Sequence, residues 1–388
     1  MDKQQLMEEY ERFILLPDRQ AFELLLCGVA SHFMDRAVPF WVLYVGASGS
    51  GKSTALEIFG GHGKTNILDD WTARTMLNGL EGNENYIDIH DDEVWIVSDL
   101  SEAISNPTEK GKIMSQLRRV YDGSLNKAFG SEQTEVHWDG KITFVVGVTD
   151  AIDREETFME DNALGERFSR VNVRGEEIRK EAAERAFDSR QRGKHNRADL
   201  REYAHDFINE VRHRTKDGVD IATPSWVRTR LIDLGDRASL LRTPIIGRKG
   251  GGIEDLPSPE FGTRLSMQLG VMSDTHAMLE GRSELNTTDV ALAQRLALDA
   301  IPRVRSRILS ALLNGAKNQA QVERFTHMPY STVGRHIDRL FALEIIDKFN
   351  LKLYPDWEKA LDDIGLANEL MTHFPARIDN WQIKEVTE

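Results

Sequence analysis

One segment of this sequence has the residue types and spacing that bind a nucleotide phosphate. Residues 46–53 read Gly-Ala-Ser-Gly-Ser-Gly-Lys-Ser and fit G-x-x-x-x-G-K-[ST] at every fixed position. Glycines would let the backbone wrap with its N–H groups inward, Lys52 would reach the β and γ phosphates, and Ser53 would ligate Mg²⁺. A Gly-Ser loop that fits by chance is the alternative. The predicted contacts are Gly46, Ala47, Ser48, Gly49, Ser50, Gly51, Lys52, Ser53 and Thr54.

A carboxylate for the same metal ion follows a second apolar segment. Val94–Val97 is a strand-like run that continues into Ser98 and Asp99. Phosphate loops of this kind share Mg²⁺ with an acidic residue from a neighbouring strand, so Asp99 is the predicted second metal ligand. The alternative is a surface aspartate that caps the next helix. Leu100 stands where a water-activating glutamate often follows, and Glu102 is the nearest substitute for that base.

The elements that must position these residues alternate between strand and helix patterns. Apolar runs at residues 40–45, 94–97 and 142–148 predict buried parallel strands, with helix patterns between them. The predicted fold class is therefore α/β, with a doubly wound parallel sheet. From residue 176 onward the patterns are helical. The predicted divisions are a helical lead-in at 1–39, the α/β phosphate-binding domain at 40–175, a helical domain at 176–300, a further module at 301–356 and a C-terminal tail at 357–388.

Composition and charge limit the function classes. The 388 residues include 49 Lys plus Arg against 63 Asp plus Glu, a net charge of −14 that argues against a chain uniformly coated for nucleic acid. Cys27 is the single cysteine, which excludes an intrachain disulfide and a thiolate zinc cluster. The start is acidic and polar, and no apolar run approaches the roughly 20 residues of a membrane span. We expect a cytoplasmic protein that does not enter a membrane.

The module at 301–356 differs in charge from the rest of the chain. Nine basic and four acidic residues between Ile301 and Tyr354 give it a net charge of +5. Helix patterns at 304–313, 318–325 and 331–343, followed by a hairpin pattern that turns at Phe349-Asn350, resemble a winged helix-turn-helix. A module for protein contacts is the alternative. The predicted DNA contacts are Tyr330, Ser331, Thr332, Arg335, His336, Arg339, Lys348 and Lys352.

Several segments in this order resemble the AAA+ P-loop ATPases, and more narrowly those of phages and mobile elements that carry a C-terminal winged helix-turn-helix. The residues that carry the resemblance are Val45 to Ser53, the strand ending at Asp99, Tyr121 to Ser124, Gly140 to Asp153 and Leu164 to Phe168. The resemblance covers roughly residues 40–173. It implies a lid for the helical domain at 176–300, with ATP and Mg²⁺ as cofactors.

The resemblance also implies roles for particular residues. Thr149 would sense the γ-phosphate, and Arg167 would enter the nucleotide site of a neighbouring subunit as an arginine finger. An ion pair with Glu166 is the alternative for Arg167. The lid would supply a second arginine to the nucleotide, Arg264 or Arg242, although a structural ion pair fits each equally well.

The sequence leaves two functions open. The first is an ATP-hydrolysing AAA+ protein that assembles into a ring or spiral, for example a hexamer, and acts on duplex DNA as a helicase, helicase loader or replication initiator of a mobile element. The second is a nucleotide-gated, DNA-binding transcriptional regulator with slow or incidental hydrolysis, which Leu100 favours. Lys127 and Phe129 could form a pore hairpin in the first case, but a surface loop is the preferred interpretation.

Overall fold

A computed structural model describes residues 1–69, 71–72, 74–77, 84–101, 103, 107–129, 134–153, 167–175, 178–188, 193–247, 253–255 and 259–374. The strands in these ranges are β1 (Trp41–Gly46), β2 (Thr65–Leu68), β3 (Glu93–Val97), β4 (Ser124–Phe129), β5 (Thr134–Asp139), β6 (Ile142–Thr149), β7 (Phe168–Asn172), β8 (Ile246–Gly247), β9 (Ile253–Asp255), β10 (Ile346–Asp347) and β11 (Lys352–Leu353). The helices are α1 (Lys3–Phe13), α2 (Arg19–Ser31), α3 (Lys52–Glu57), α4 (Tyr86–Ile89), α5 (Pro107–Tyr121), α6 (Arg179–Asp188), α7 (Gly193–Thr215), α8 (Ser225–Arg242), α9 (Thr263–Leu279), α10 (Thr287–Ala300), α11 (Arg303–Leu313), α12 (Gln319–Thr326), α13 (Tyr330–Ala342), α14 (Pro355–Asp363) and α15 (Leu366–His373).

Five parallel strands form the central sheet, in the order β2-β3-β6-β1-β7. Successive side chains alternate between its two faces because a strand has a period of two. Val42 and Tyr44 face one buried core, whereas Trp41 and Leu43 face the other, and helices cover both faces. The predicted α/β fold with a parallel sheet is confirmed.

The N-terminal segment is a layer of this sheet. Helix α2 packs on β1, β6 and β7, and Gly28 allows the close approach because a Cβ there would lie 2.5 Å from Cγ2 of Val42. Ten of the 13 residues of this helix are buried, so protein covers it on more than one side. The segment predicted as a helical lead-in at 1–39 is helical, and its second helix is also part of the core of the sheet.

The later helices share the core of the sheet. Helix α9 packs on α2, α10 packs on β7, and one continuous buried core runs from α1 through the C-terminal helices. The longest of these helices, α7, has 23 residues and a charged surface. Nowhere in the described part of the chain does a helix combine the length and the apolar character that a membrane crossing requires.

A buried charge network joins three of these elements at the carboxyl end of β7. Arg295 on α10 donates to Asp18 at 2.8 Å and to Asp299 at 3.2 Å, and Asp299 also accepts from Arg174 at 2.5 Å. Asp18 caps α2, and Asn172 ends β7 with its backbone N–H donating to Asp299 at 2.9 Å. Since each buried charge has an opposite partner, the network fixes α2 and α10 to the end of β7.

The C-terminal helices agree closely with the sequence. Helices α11, α12 and α13 lie within a residue or two of the predicted ones, and β10 pairs antiparallel with β11 around the predicted turn. The segment predicted as a C-terminal tail at 357–388 includes two helices, since α14 and α15 occupy residues 355–373. Helix α15 packs on α10 and α11, where Ser310 donates to the backbone oxygen of Phe374 at 2.7 Å.

Candidate functional site

The predicted phosphate loop connects the end of β1 to the start of α3. Gly49 and Gly51 have φ of 79° and 81°, a left-handed conformation that favours glycine. Gly46 has no room for a side chain, since a Cβ there would lie 2.8 Å from Oγ of Ser50. Residues 47–49 are exposed. The conformation of the loop therefore favours glycine at all three of these positions, two of which are fixed in the motif.

The cationic side chain of the motif lies across the loop. Nζ of Lys52 donates to the backbone oxygen of Ala47 at 3.1 Å, and the residue is only 7% exposed. Burial lowers the pKa of Lys52, whereas the charges of Asp99 and Asp150 oppose that shift. Ser53 and Thr54 follow in the first turn of α3, with Ser53 exposed.

The loop fits a bound phosphate in two respects. A Cβ on Gly49 or Gly51 would have no neighbour within 4 Å, so the surface beside these residues is open. Oγ of Ser50 is buried and has no hydrogen-bond partner among the described residues. An orphaned hydroxyl in a glycine loop is a feature that a phosphate oxygen would satisfy.

The predicted metal carboxylate lies at the same edge of the sheet, one strand further away than expected. Strand β6 lies between β1 and β3, so Asp99 does not follow a direct neighbour of β1. The side chain of Asp99 is exposed, and its Oδ1 accepts from the backbone N–H of Ser101 at 2.8 Å. Asp99 thus makes the capping contact of the alternative interpretation while lying near enough to Lys52 to affect its pKa.

Thr149 ends the strand between them. It pairs with Gly46 across β1 and β6, which brings it to the level of the phosphate loop. Its N–H donates to Oγ of Ser101 at 3.0 Å, and the two hydroxyl oxygens lie 3.2 Å apart. Ser101 therefore joins Asp99 to Thr149. The sequence patterns did not single out Ser101 or Asp150, and Glu102 lies outside the described residues.

Arg167 and Arg264 lie at the opposite edge of the sheet. Both guanidinium groups approach the ring of Tyr121, at 5.9 Å and 6.0 Å from its centroid. Tyr121 in turn lies 5.0 Å from Trp41, which begins β1, whereas the phosphate loop follows its end. Arg167 also pairs with Asp122 at 3.7 Å, and its sequence neighbour Glu166 lies outside the described residues. The structure does not bring either arginine to the phosphate loop of its own chain.

Arg242, the other arginine predicted to contact the nucleotide, forms an ion pair within the chain. Arg242 is buried and donates to Glu260 at 2.7 Å, with a second close contact between the same groups. This is the ion pair of the alternative interpretation. The expectation that the lid supplies Arg264 or Arg242 to the nucleotide within one chain has no support in these contacts.

The segment after α5 forms a hairpin, where a surface loop was the preferred interpretation. Strands β4 and β5 pair antiparallel with Lys127 opposite Val136. Burial lowers the pKa of Lys127, and the nearby ammonium of Lys112 lowers it further. Residues 130–133, at the turn, lie outside the described part of the chain.

The predicted DNA face of α13 is only partly exposed. Tyr330, Ser331 and Arg335 are exposed and Thr332 is half-buried. Lys348 and Lys352, on the hairpin, are exposed as well. The prediction of DNA contacts does not hold for His336 and Arg339, because these side chains are buried in the module, at 7% and 6% exposed. Burial and the nearby arginines lower the pKa of His336 to about 3. Lys348 is paired with Asp338 at 2.6 Å.

One group of side chains away from the phosphate loop has the composition of a metal site. Glu23, His276 and Glu280 place three ligand atoms within 4.8 Å of one another. Lys3 inserts its ammonium among them and contacts both glutamates. Asp289 accepts a hydrogen bond from Nδ1 of His276 at 2.6 Å. Because an ammonium group already supplies the positive charge, we assign no metal here.

Comparison with known proteins adds no family to these observations. The sequence matches no protein-family model and no curated protein. The fold is an α/β sheet compatible with a P-loop core, and the candidate site consists of the loop at 46–53 with Asp99, Ser101 and Thr149. Lys52, Ser53 and Asp99 are the residues of this site that could hold a phosphate group and a metal ion.

Proposed function

We propose that this protein binds ATP with Mg²⁺, hydrolyses it and assembles with copies of itself as an AAA+-type ATPase. The observation that carries the proposal is the shared edge of the sheet, where the glycine loop, Lys52, Asp99 and Thr149 meet. Lys52 would bind the β and γ phosphates, Ser53 and Asp99 would hold Mg²⁺, and Thr149 would bind the γ-phosphate. Magnesium supplies charge neutralisation when bound.

The arrangement of Arg167 supports a catalytic site shared between copies. Arginine fingers in this class of reaction come either from the same chain or from a second one. Arg167 lies one residue before β7, at the edge opposite to its own phosphate loop. A second copy must therefore present its loop to Arg167 if this arginine is to stabilise the transition state.

The C-terminal module supports an action on duplex DNA. Three helices followed by a two-stranded hairpin have the order of a winged helix-turn-helix, and α13 exposes Tyr330, Ser331 and Arg335. Lys352 and the paired Lys348 extend this surface onto the hairpin. We propose helicase, helicase-loading or replication-initiation activity as the context.

A nucleotide-gated DNA-binding regulator is the second candidate, favoured by one observation. Leu100 follows Asp99 where a glutamate would activate the attacking water, and it is 2% exposed in the core. Slow hydrolysis fits this substitution. ATP-dependent unwinding of a duplex would support the motor, and ATP-dependent DNA binding without turnover would support the regulator.

The test of nucleotide chemistry is Lys52→Ala. Because Lys52 is the cation of the loop, we expect phosphate release to fall to background and the affinity for a fluorescent ATP analogue to fall at least about tenfold. Lys359→Ala, at an exposed position on α14, is the matched control and should keep wild-type turnover. Wild-type turnover in Lys52→Ala would refute the assignment.

A further inference from the structure

One serine contacts two of the predicted site residues at the carboxyl edge of the sheet. Ser101 donates its backbone N–H to Oδ1 of Asp99 at 2.8 Å. Its Oγ accepts from the backbone N–H of Thr149 at 3.0 Å and lies 3.2 Å from the hydroxyl oxygen of the same threonine. Asp99 follows β3, and Thr149 ends β6, the next strand of the sheet. Ser101 therefore links the ends of two neighbouring strands.

The turn that carries Ser101 is held against β6 by its backbone. Leu100 donates its N–H to the backbone oxygen of Gly147 at 2.9 Å, and its side chain is buried. Gly147 lies so close to this turn that a Cβ on it would overlap the backbone oxygen of Ser98. Packing of the turn on β6 thus places Ser101 beside Thr149 independently of the serine side chain.

The direction of the hydrogen bond between the two hydroxyl groups decides what Thr149 can offer to an anion. A hydroxyl donates one proton and accepts at two lone pairs. If Thr149 donated to Ser101, it would present only lone pairs to an anionic oxygen, which they repel. If Ser101 donates to Thr149, the proton of Thr149 points elsewhere and can form a charge-assisted hydrogen bond. The second direction is favoured because Oγ of Ser101 already accepts from the N–H of Thr149, and hydrogen bonds in a chain polarise one another.

We propose that Ser101 is a positioning residue of the ATP site, whose hydroxyl donates to Oγ1 of Thr149 and so directs the Thr149 proton to the γ-phosphate. This role rests on the proposed function, in which Thr149 binds the γ-phosphate. Ser101 acts through Thr149 and makes no contact with phosphate itself. Its hydroxyl therefore sets how strongly the site prefers a nucleoside triphosphate over the diphosphate.

The contact with Asp99 can be separated from this role. It uses the backbone N–H of Ser101, which every residue except proline retains. Replacing the side chain therefore leaves the contact with Asp99 in place and removes the hydroxyl contacts with Thr149.

The affinities for ATP and ADP test the role of Ser101 without any turnover. We expect Ser101→Ala to bind ATP about fivefold more weakly or worse, since Thr149 loses its fixed proton direction. The affinity for ADP should stay unchanged because ADP has no γ-phosphate. Ser101→Thr retains the hydroxyl and should retain most of the preference for ATP, and Ser115→Ala, at an exposed position on α5, is the matched control. Competition of ATP and of ADP against a fluorescent ADP analogue, with Mg²⁺ present, measures each affinity.

A double substitution separates positioning from a merely structural effect. Thr149→Val removes the hydroxyl through which Ser101 acts, so adding Ser101→Ala to that variant should cause no further loss of ATP affinity. Losses that multiply in the double variant would show that Ser101 acts independently of Thr149 and would overturn the inference. If Ser101→Ala folds poorly, Ser101→Cys gives the same test, because a thiol is only a weak donor and acceptor.

The wild-type chain distinguishes failure of this role from failure of the proposed function. A wild-type chain that binds neither nucleotide would refute the ATP site itself. Equal affinity of the wild type for ATP and ADP would leave a nucleotide site but overturn the roles of Thr149 and Ser101 together. A wild-type preference for ATP that Ser101→Ala retains in full would leave the ATP site intact and overturn the role of Ser101 alone.

Discussion

Buried charges around His276 are each matched by an opposite charge. Burial opposes the ionisation of Glu23, but the hydrogen bond with His276 and the charge of Lys3 outweigh it and lower the pKa of Glu23 to about 2. Burial disfavours the charged form of His276, whereas Asp289 and Glu23 raise its pKa above the ordinary value. The cluster ties α1 and α2 to α9 and α10 through these ion pairs.

These shifts predict the pH range in which the cluster stabilises the fold. The lowered pKa of Glu23 contributes stability above about pH 4.5 that is lost as the pH falls toward 2, and the raised pKa of His276 contributes stability that is lost as the pH rises above 6.5. We expect Glu23→Gln to cost about 1–3 kcal/mol at pH 5.5 and less at pH 3. Urea unfolding at both pH values measures this difference. Glu202→Gln, on the exposed side of α7, is the control, and a pH-independent difference would contradict the prediction.

At the scale of elements, the central sheet depends on close approach of α2. Its glycine at position 28 is the residue that packs against Val42 on β1, and a methyl group there would overlap Cγ2 of that valine. Interiors packed to this density tolerate added volume poorly.

A pair of glycine substitutions tests this packing. Gly28→Ala should destabilise the fold by about 1–3 kcal/mol, because the added methyl group forces α2 away from β1. Gly111→Ala, within α5, meets nothing within 4 Å and should stabilise by about 0.5–1 kcal/mol through helix propensity alone. Thermal unfolding of both variants measures the contrast. Equal shifts of Tm would show that α2 does not constrain β1.

Local patterns predicted the elements that depend on local physics. The apolar runs predicted β1, β3 and β6, and the glycine spacing predicted a tight loop at 46–53, where Gly49 and Gly51 adopt a left-handed conformation that favours glycine. Strand β7 contains Ser169 and Arg170, both buried, so its composition did not indicate a core strand. The Ser101–Thr149 contact and the approach of Arg167 and Arg264 to Tyr121 join residues that are distant in sequence, and no single-sequence pattern encodes such contacts.

At the scale of the whole molecule, the basic charge of the C-terminal module is divided between surface and interior. Nine basic and four acidic residues give that region a net charge of +5, but two of the basic residues, Arg305 and Arg339, are buried. Arg305 donates to the backbone oxygens of Leu241 and Thr243 at 2.7 Å each, at the end of α8. The basic surface of this module is therefore smaller than the charge count implies.

This division predicts different effects for two arginines of α13. Arg335→Ala should weaken binding to a DNA duplex and reduce the slope of log affinity against log salt by about one, as expected for one lost phosphate contact. Arg339→Ala should instead lower Tm, because its side chain is buried. Fluorescence anisotropy across a salt series measures the first effect and calorimetry the second. A reduced salt slope for Arg339→Ala at unchanged Tm would place Arg339 on the DNA surface after all.

The hydrogen bonds of Arg305 bear on how such a chain can evolve. Two carbonyl groups at the end of α8 depend on an arginine that comes from the C-terminal module, and α15 adds a further contact through Phe374. Recombination that joined this α/β body to a different C-terminal module would leave those carbonyl groups without their donor. The specificity of the module should therefore change by point substitution on its exposed side, while the side that meets α8 is inherited together with the body.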